Sequence, residues 1–160
     1  MEDIKPNFLS LIFTNDIPGV KQALAEDLSL IDIHRGWQTP FGILRAEQTE
    51  MALVLLENLQ EYQIKNQKLK FIHATEFDNL LNVKLSTVDQ LVTFILLCSN
   101  NLVGSESYCK RVEDNYLKNG QEHDLVKVAQ ELNRLGFKWR HGLIGGACLA
   151  IEYFNRVDER

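Results

Sequence analysis

The stretch Ile31-Asp32-Ile33-His34-Arg35-Gly36-Trp37-Gln38-Thr39-Pro40-Phe41 sets the frame for the whole chain. An apolar helical segment ends at Ile31, a polar turn with glycine follows, and Thr39-Pro40 has the chemistry of a new helix start. A threonine there would cap the helix, and proline fits its first turn, where no backbone N–H is needed.

Placing Phe8 on Phe41 also places Leu11 on Leu44, Asn15 on Gln48, Val20 on Leu53 and Ala23 on Leu56, a constant offset of 33 residues. Two apolar helices and the polar turn between them recur together, which predicts stacked antiparallel helix pairs over residues 7 to 59. Phe8, Leu11, Val20, Phe41, Leu44, Leu53 and Leu56 are then expected to be buried together. A weaker echo at an offset of 106 places Val20-Lys21 on Val126-Lys127, Ala23 on Ala129, Ile31 on Phe137 and Gly36 on Gly142. The middle of the chain carries a fainter copy, with Phe71-Ile72-His73-Ala74 as its opening and Val88 to Leu97 as its second helix.

Helical spacing of apolar residues continues through Leu53, Leu56 and Leu59, through Val88, Leu91 and Ile95, and through Leu125, Val128 and Leu132. Strand-like alternation is nearly absent. Stops and starts fall at Asn15-Asp16 with Pro18, at Gly36, at Ser86 as an N-cap, at Asn100-Asn101 and Gly104, at Gly120 and at Gly136 as a C-cap. The expectation is an all-α chain of seven to nine short helices in one domain spanning 1–160, with an irregular insertion around 100–120.

Gly36-Trp37-Gln38-Thr39-Pro40-Phe41, together with the 33-residue period, resembles the Gly-x-Thr-Pro-Leu-His-x-Ala opening of ankyrin repeats. Phe41 stands for the family's Leu, Gly42 for its His and Leu44 for its Ala, so the match is degenerate. The resemblance implies an ankyrin-like stack whose polar fingers form a binding edge; the alternative is an irregular bundle of similar amphipathic helices. It also implies a non-catalytic protein-protein interaction module. Small degenerate ankyrin proteins of bacteria act as effectors delivered into a host or as immunity proteins that neutralise a toxin.

Composition bounds the partners. With 22 acidic against 17 basic residues the formal charge is -5, and no Lys/Arg run makes a phosphate-binding stripe, so nucleic acid is not expected as partner. The longest apolar run, Leu91 to Cys98, is far shorter than the ~20 residues a bilayer crossing needs, and it reads as a buried helix segment. Cys98, Cys109 and Cys148 lack CxxC spacing, and the acidic opening Met1-Glu2-Asp3 is unlike a signal peptide. A reducing, cytoplasmic compartment follows, with delivery into a host left open. The sequence is silent on self-association.

His73, His123-Asp124 and Asp158 follow the order of metal ligands in HD-type phosphohydrolases, the rival reading, since imidazole and carboxylate suit a hydrolytic metal. The plainer reading places His123-Asp124 at a solvated helix start, and neither a cofactor nor a catalytic residue is expected. The partner-binding candidates are the two turns where Trp, Arg and His cluster: Arg35, Trp37 and Gln38 in one, Lys138, Trp139, Arg140 and His141 in the other, with Arg45 on a nearby helix face. Trp and Arg are the side chains that most often carry interface energy. Trp37 and Trp139 packed flat against the adjacent repeat are the alternative.

Overall fold

The computed structural model describes residues 4–36, 38–66, 74–102, 106–118, 123–137 and 142–158. Eight α-helices and no strands are found among them. The chain divides into two compact units, Met1–Lys84 and Leu85–Arg160.

In the first unit, α1 (Ile4–Phe13) stops where Asn15 turns left-handed at φ 60. The Asn15 N–H returns to the Ile12 carbonyl and the Asp16 N–H to Leu11, so the loose carbonyls of the last turn are satisfied. Asp16 then caps α2 (Ile17–Glu26), accepting from the Gly19 N–H at 3.1 Å, with Pro18 in the first turn. A 3₁₀ turn (Leu28–Asp32) leads into a two-residue hairpin in which Arg35 and Gln38 exchange both backbone hydrogen bonds, with Gly36 at φ +60 in its loop.

Thr39-Pro40 begins only a single turn. The Thr39 hydroxyl accepts from the Gly42 N–H at 2.9 Å and the Ile43 N–H reaches the Thr39 carbonyl, as a helix start requires. The helix goes no further because side chains take over its backbone groups. Asn79 Nδ2 donates to the Phe41 and Leu44 carbonyls at 2.7 and 2.8 Å, and Gln48 Oε1 accepts from the Arg45 N–H at 2.9 Å. The expected helix here is therefore corrected to one turn, followed by the long α3 (Thr49–Asn66) and, after residues outside the described set, α4 (Ala74–Leu80).

Of the seven residues expected to be buried together, Phe8, Val20, Phe41, Leu44 and Leu56 are buried, whereas Leu11 and Leu53 are half-buried. On α3 the buried apolar residues are Met51, Ala52, Val54, Leu55, Leu56 and Leu59, so the core face is set one position away from Leu53. α2 packs on α1, on α3 and on the 3₁₀ turn.

In the second unit, α5 (Val88–Leu102) runs through the expected stop at Asn100-Asn101. Its cap is Thr87, one residue later than Ser86. The Thr87 hydroxyl accepts from the Gln90 N–H at 3.1 Å, while Gln90 Oε1 accepts from Ser86 and Thr87. The polar stretch after residue 100 is irregular but helical where described, with α6 (Glu106–Glu113) running into a π turn at Asp114–Lys118. α7 (Leu125–Arg134) is capped by Asp124 and ends at Gly136 (φ +77), with the Phe137 N–H on the Leu132 carbonyl and the Gly136 N–H on Asn133. α8 (Gly142–Asp158) packs on α7 and α6, and α7 packs on α5. Phe94 and Tyr116 meet edge to face at 5.9 Å inside this core, beside Cys98, Val112, Leu132, Ile144 and Cys148. Burial, and then the neighbouring Cys98, pushes the Tyr116 hydroxyl far above its ordinary pKa.

The helices that follow each turn begin at Ile17, Thr49, Val88 and Leu125, spaced 32, 39 and 37 residues apart. Hydrogen bonds between turns keep a similar step. In the first unit Gln48 bonds Ile12 and Asn15, and Lys84 bonds both Ala46 and Thr49; in the second, His123 bonds the Leu85 carbonyl.

Candidate functional site

The exposed end of α1 and the hairpin bound a groove of about 320 Å³ lined by Leu9, Ser10, Phe13, Arg35, Gln38 and Ile43. Helical spacing explains its floor. Phe8 and Ile12 point into the core, which turns Phe13 to the outside, where it is 63% exposed. The single turn at Thr39 presents Ile43 beside it, and the Gly36 hairpin holds Arg35 and Gln38 at the rim, both exposed.

Arg45 holds the Phe13 ring in place. Its Nη1 donates to the Phe13 carbonyl at 2.7 Å and its guanidinium stands 5.3 Å from the centre of the Phe13 ring. A cation at the last carbonyls of α1 is favoured by the helix dipole, and one over an aromatic face by the ring's quadrupole. Its Nε donates to Glu47 at 2.9 Å. The Glu47 carboxyl lies below its usual pKa, chiefly through its own backbone N–H and then through Arg45. Arg45 is thus engaged on three sides and positions the Phe13 ring.

Arg35 is different, because its guanidinium forms no ion pair or side-chain hydrogen bond among the described residues. Of the sequence candidates, the structure brings Arg35 and Gln38 together at one groove and sets Arg45 against its Phe13 wall. Trp37, Lys138, Trp139, Arg140 and His141 lie outside the described residues.

Two members of the rival metal set have described side chains, and both make hydrogen bonds to the backbone. Asp124 accepts from the N–H groups of Val126 and Lys127 at 2.9 and 3.2 Å, and His123 Nε2 bonds the Leu85 carbonyl. His73 and the side chain of Asp158 are outside the described set. No group of three or more His, Cys, Asp or Glu stands together among the described residues. Cys98 and Cys148 are buried in the core and form no disulfide among the described residues. No described helix is long and apolar enough to cross a membrane.

Sequence reasoning missed Phe13 and Ile43. The signal was present in the run Leu11-Ile12-Phe13 before the Asn15 turn, since three consecutive apolar residues cannot all face one side of a helix. Comparison with protein-family models, with curated proteins and with solved structures finds no match to this chain.

Proposed function

We propose that this chain is a non-catalytic protein-binding module of ankyrin-like build, whose partner sits in the groove between the hairpin and α1. The observation that carries the reading is an exposed aromatic, Phe13, beside a guanidinium unpaired among the described residues, Arg35, around one concavity. A large apolar ring beside a planar hydrogen-bond donor is the combination that gives a protein interface its anchors.

The ankyrin-like part of the reading is supported by the 32- to 39-residue spacing of the second helices and by the turn-to-turn bonds that keep the same step. Like helices are neighbours within each unit: α2 packs on α3 in the first, α5 on α7 and α6 on α8 in the second. That is the arrangement in which each helix pair is covered by the next.

The test is a pull-down from native extract with the wild-type chain and with Arg35→Ala plus Phe13→Ala, both confirmed to melt at the same temperature. A protein retained by the first and lost by the second supports the reading. An antidote would hold one product of a neighbouring gene in a stoichiometric complex, and an effector would hold a host protein. Retention of the same protein by both forms sinks the groove as the interface.

A further inference from the structure

Two sides of α8 carry apolar residues, and Glu152, Asn155 and Arg156 lie outside the exposed one. Ile144 and Cys148 are buried on the side that meets α6 and α7. On the other side Leu143, Gly146, Leu149, Ala150, Tyr153, Phe154 and Val157 are all exposed, with Tyr153 at 62% and Phe154 at 63%. At 100° per residue these seven fill an unbroken arc of roughly 140° that contains no charged side chain. A helix apolar on both faces is one that is covered on both faces, and an exposed contiguous apolar patch marks an interaction surface.

We infer that this outer face of α8 docks on the same face of a second copy of the chain, antiparallel, about a two-fold axis at Ala150. Gly146, Ala150 and Phe154 form one i, i+4, i+8 ridge. Reversing that ridge about Ala150 sets Phe154 of each copy over Gly146 of the other and Leu143 against Val157. The large residue meets the small one twice, which is the self-complementarity an isologous interface requires. Nothing among the described residues calls for glycine at 146: a Cβ built there meets none of their atoms within 4 Å, and the backbone is ordinary helix. A mid-helix glycine costs ~1 kcal/mol against alanine, so an open glycine opposite a projecting phenylalanine fits a close approach from outside.

Charge does not oppose a second copy. The chain as a whole is acidic, at -5, yet this arc is neutral, so two copies meet there without opposing like charges. Residues 143 to 157 span about 22 Å of helix, a contact shorter than a standard permanent interface uses. The association is therefore reversible and concentration-dependent, not a permanent dimer.

The experiment is sedimentation equilibrium of the full chain from about 5 to about 500 µM, with Phe154→Glu and Gly146→Leu as variants. The expected result is a monomer–dimer equilibrium inside that range, with the dissociation constant raised at least about tenfold by each variant. At Gly146→Leu the added Cβ has open space among the described residues and leucine is the better helix former, so the melting temperature should hold or rise while dimerisation is weakened. A monomer throughout the range overturns the inference and leaves the face to a different protein. A dimer unaltered by both variants places the contact on another surface, and sensitivity to only one of them overturns the antiparallel register.

Discussion

Gln48 Nε2 donates to Asn15 Oδ1 at 3.1 Å, joining two turns that stand 33 residues apart. The same nitrogen donates to the Ile12 carbonyl at 2.8 Å, and Gln48 Oε1 accepts from the Arg45 N–H. Only 2% of Gln48 is exposed, so one buried amide satisfies backbone groups from both turns. Gln48→Leu keeps the volume but strips the Ile12 carbonyl of its buried side-chain donor, leaving it the Asn15 N–H alone, and leaves the part-buried Arg45 N–H without its acceptor. The expected loss is about 1 to 3 kcal/mol of unfolding free energy in a urea titration. A change under about 0.5 kcal/mol would show that the bridge does not hold the turns together.

The α3 helix separates two leucines that look equivalent in sequence. Leu56 is buried and Leu53 is half-buried. Leu56→Ala is expected to cost about 2 to 5 kcal/mol, as a core truncation does, and Leu53→Ala clearly less. Equal losses in parallel chemical denaturation would mean that α3 is rotated to turn both leucines equally into the core.

Two glycines of α8 should respond oppositely to alanine. At Gly142 the backbone has φ +64, and a Cβ would lie 2.3 Å from Glu113 Oε1, the buried carboxylate that accepts the Ile144 N–H at 3.0 Å. Strain and the displaced cap together predict a loss of at least about 1 kcal/mol for Gly142→Ala. Gly146→Ala meets no atom of the described residues within 4 Å and is expected to stabilise the helix by up to about 1 kcal/mol. Thermal melts at low micromolar concentration check both signs while keeping self-association out of the measurement.

How legible this was in the sequence depends on how local the chemistry is. The Asn15 and Gly136 stops and the Asp16 and Asp124 starts were readable because a cap satisfies groups within a few residues of itself. The segment after Thr39 was not. Its helix ends because Asn79, 35 to 38 residues away, takes the Leu44 and Phe41 carbonyls. The groove was half legible: Arg35 and Gln38 stood out beside Gly36, but the exposure of Phe13 depends on which neighbour covers α1. The outer face of α8 carries the same lesson. Apolar spacing marks a helix as buried without saying on how many sides.

Acid should release Arg45 from the groove wall. The Glu47 carboxyl is held below its ordinary pKa, first by its own backbone N–H and then by Arg45. A carboxyl depressed in the folded state contributes its favourable contact above the unfolded pKa and loses it as pH falls through the folded value. The Phe13 ring resonances are therefore expected to stay constant from neutral pH into the usual glutamate range and to shift only below it. Movement already between pH 7 and pH 6 would assign the change to another group.

Arg45→Ala is expected to weaken partner binding by freeing Phe13 and not by removing a contact of its own. Its guanidinium sits over the Phe13 ring and its Nη1 holds the Phe13 carbonyl, so its loss frees the aromatic wall of the groove and makes the partner restore order on binding. A Phe13→Ala anchor truncation is expected to cost about 2 kcal/mol or more of binding, and Arg45→Ala about 0.5 to 1 kcal/mol. A double-mutant cycle separates positioning from contact. If Arg45 acts only through Phe13, then Arg45→Ala in the Phe13→Ala background changes the affinity by less than about 0.3 kcal/mol, and the coupling equals the single effect. Full additivity in a titration against the protein recovered by pull-down would instead make Arg45 a direct contact. Arg35→Ala is the internal control, since a guanidinium at the rim should add its loss to that of Phe13 and leave the melting temperature unchanged.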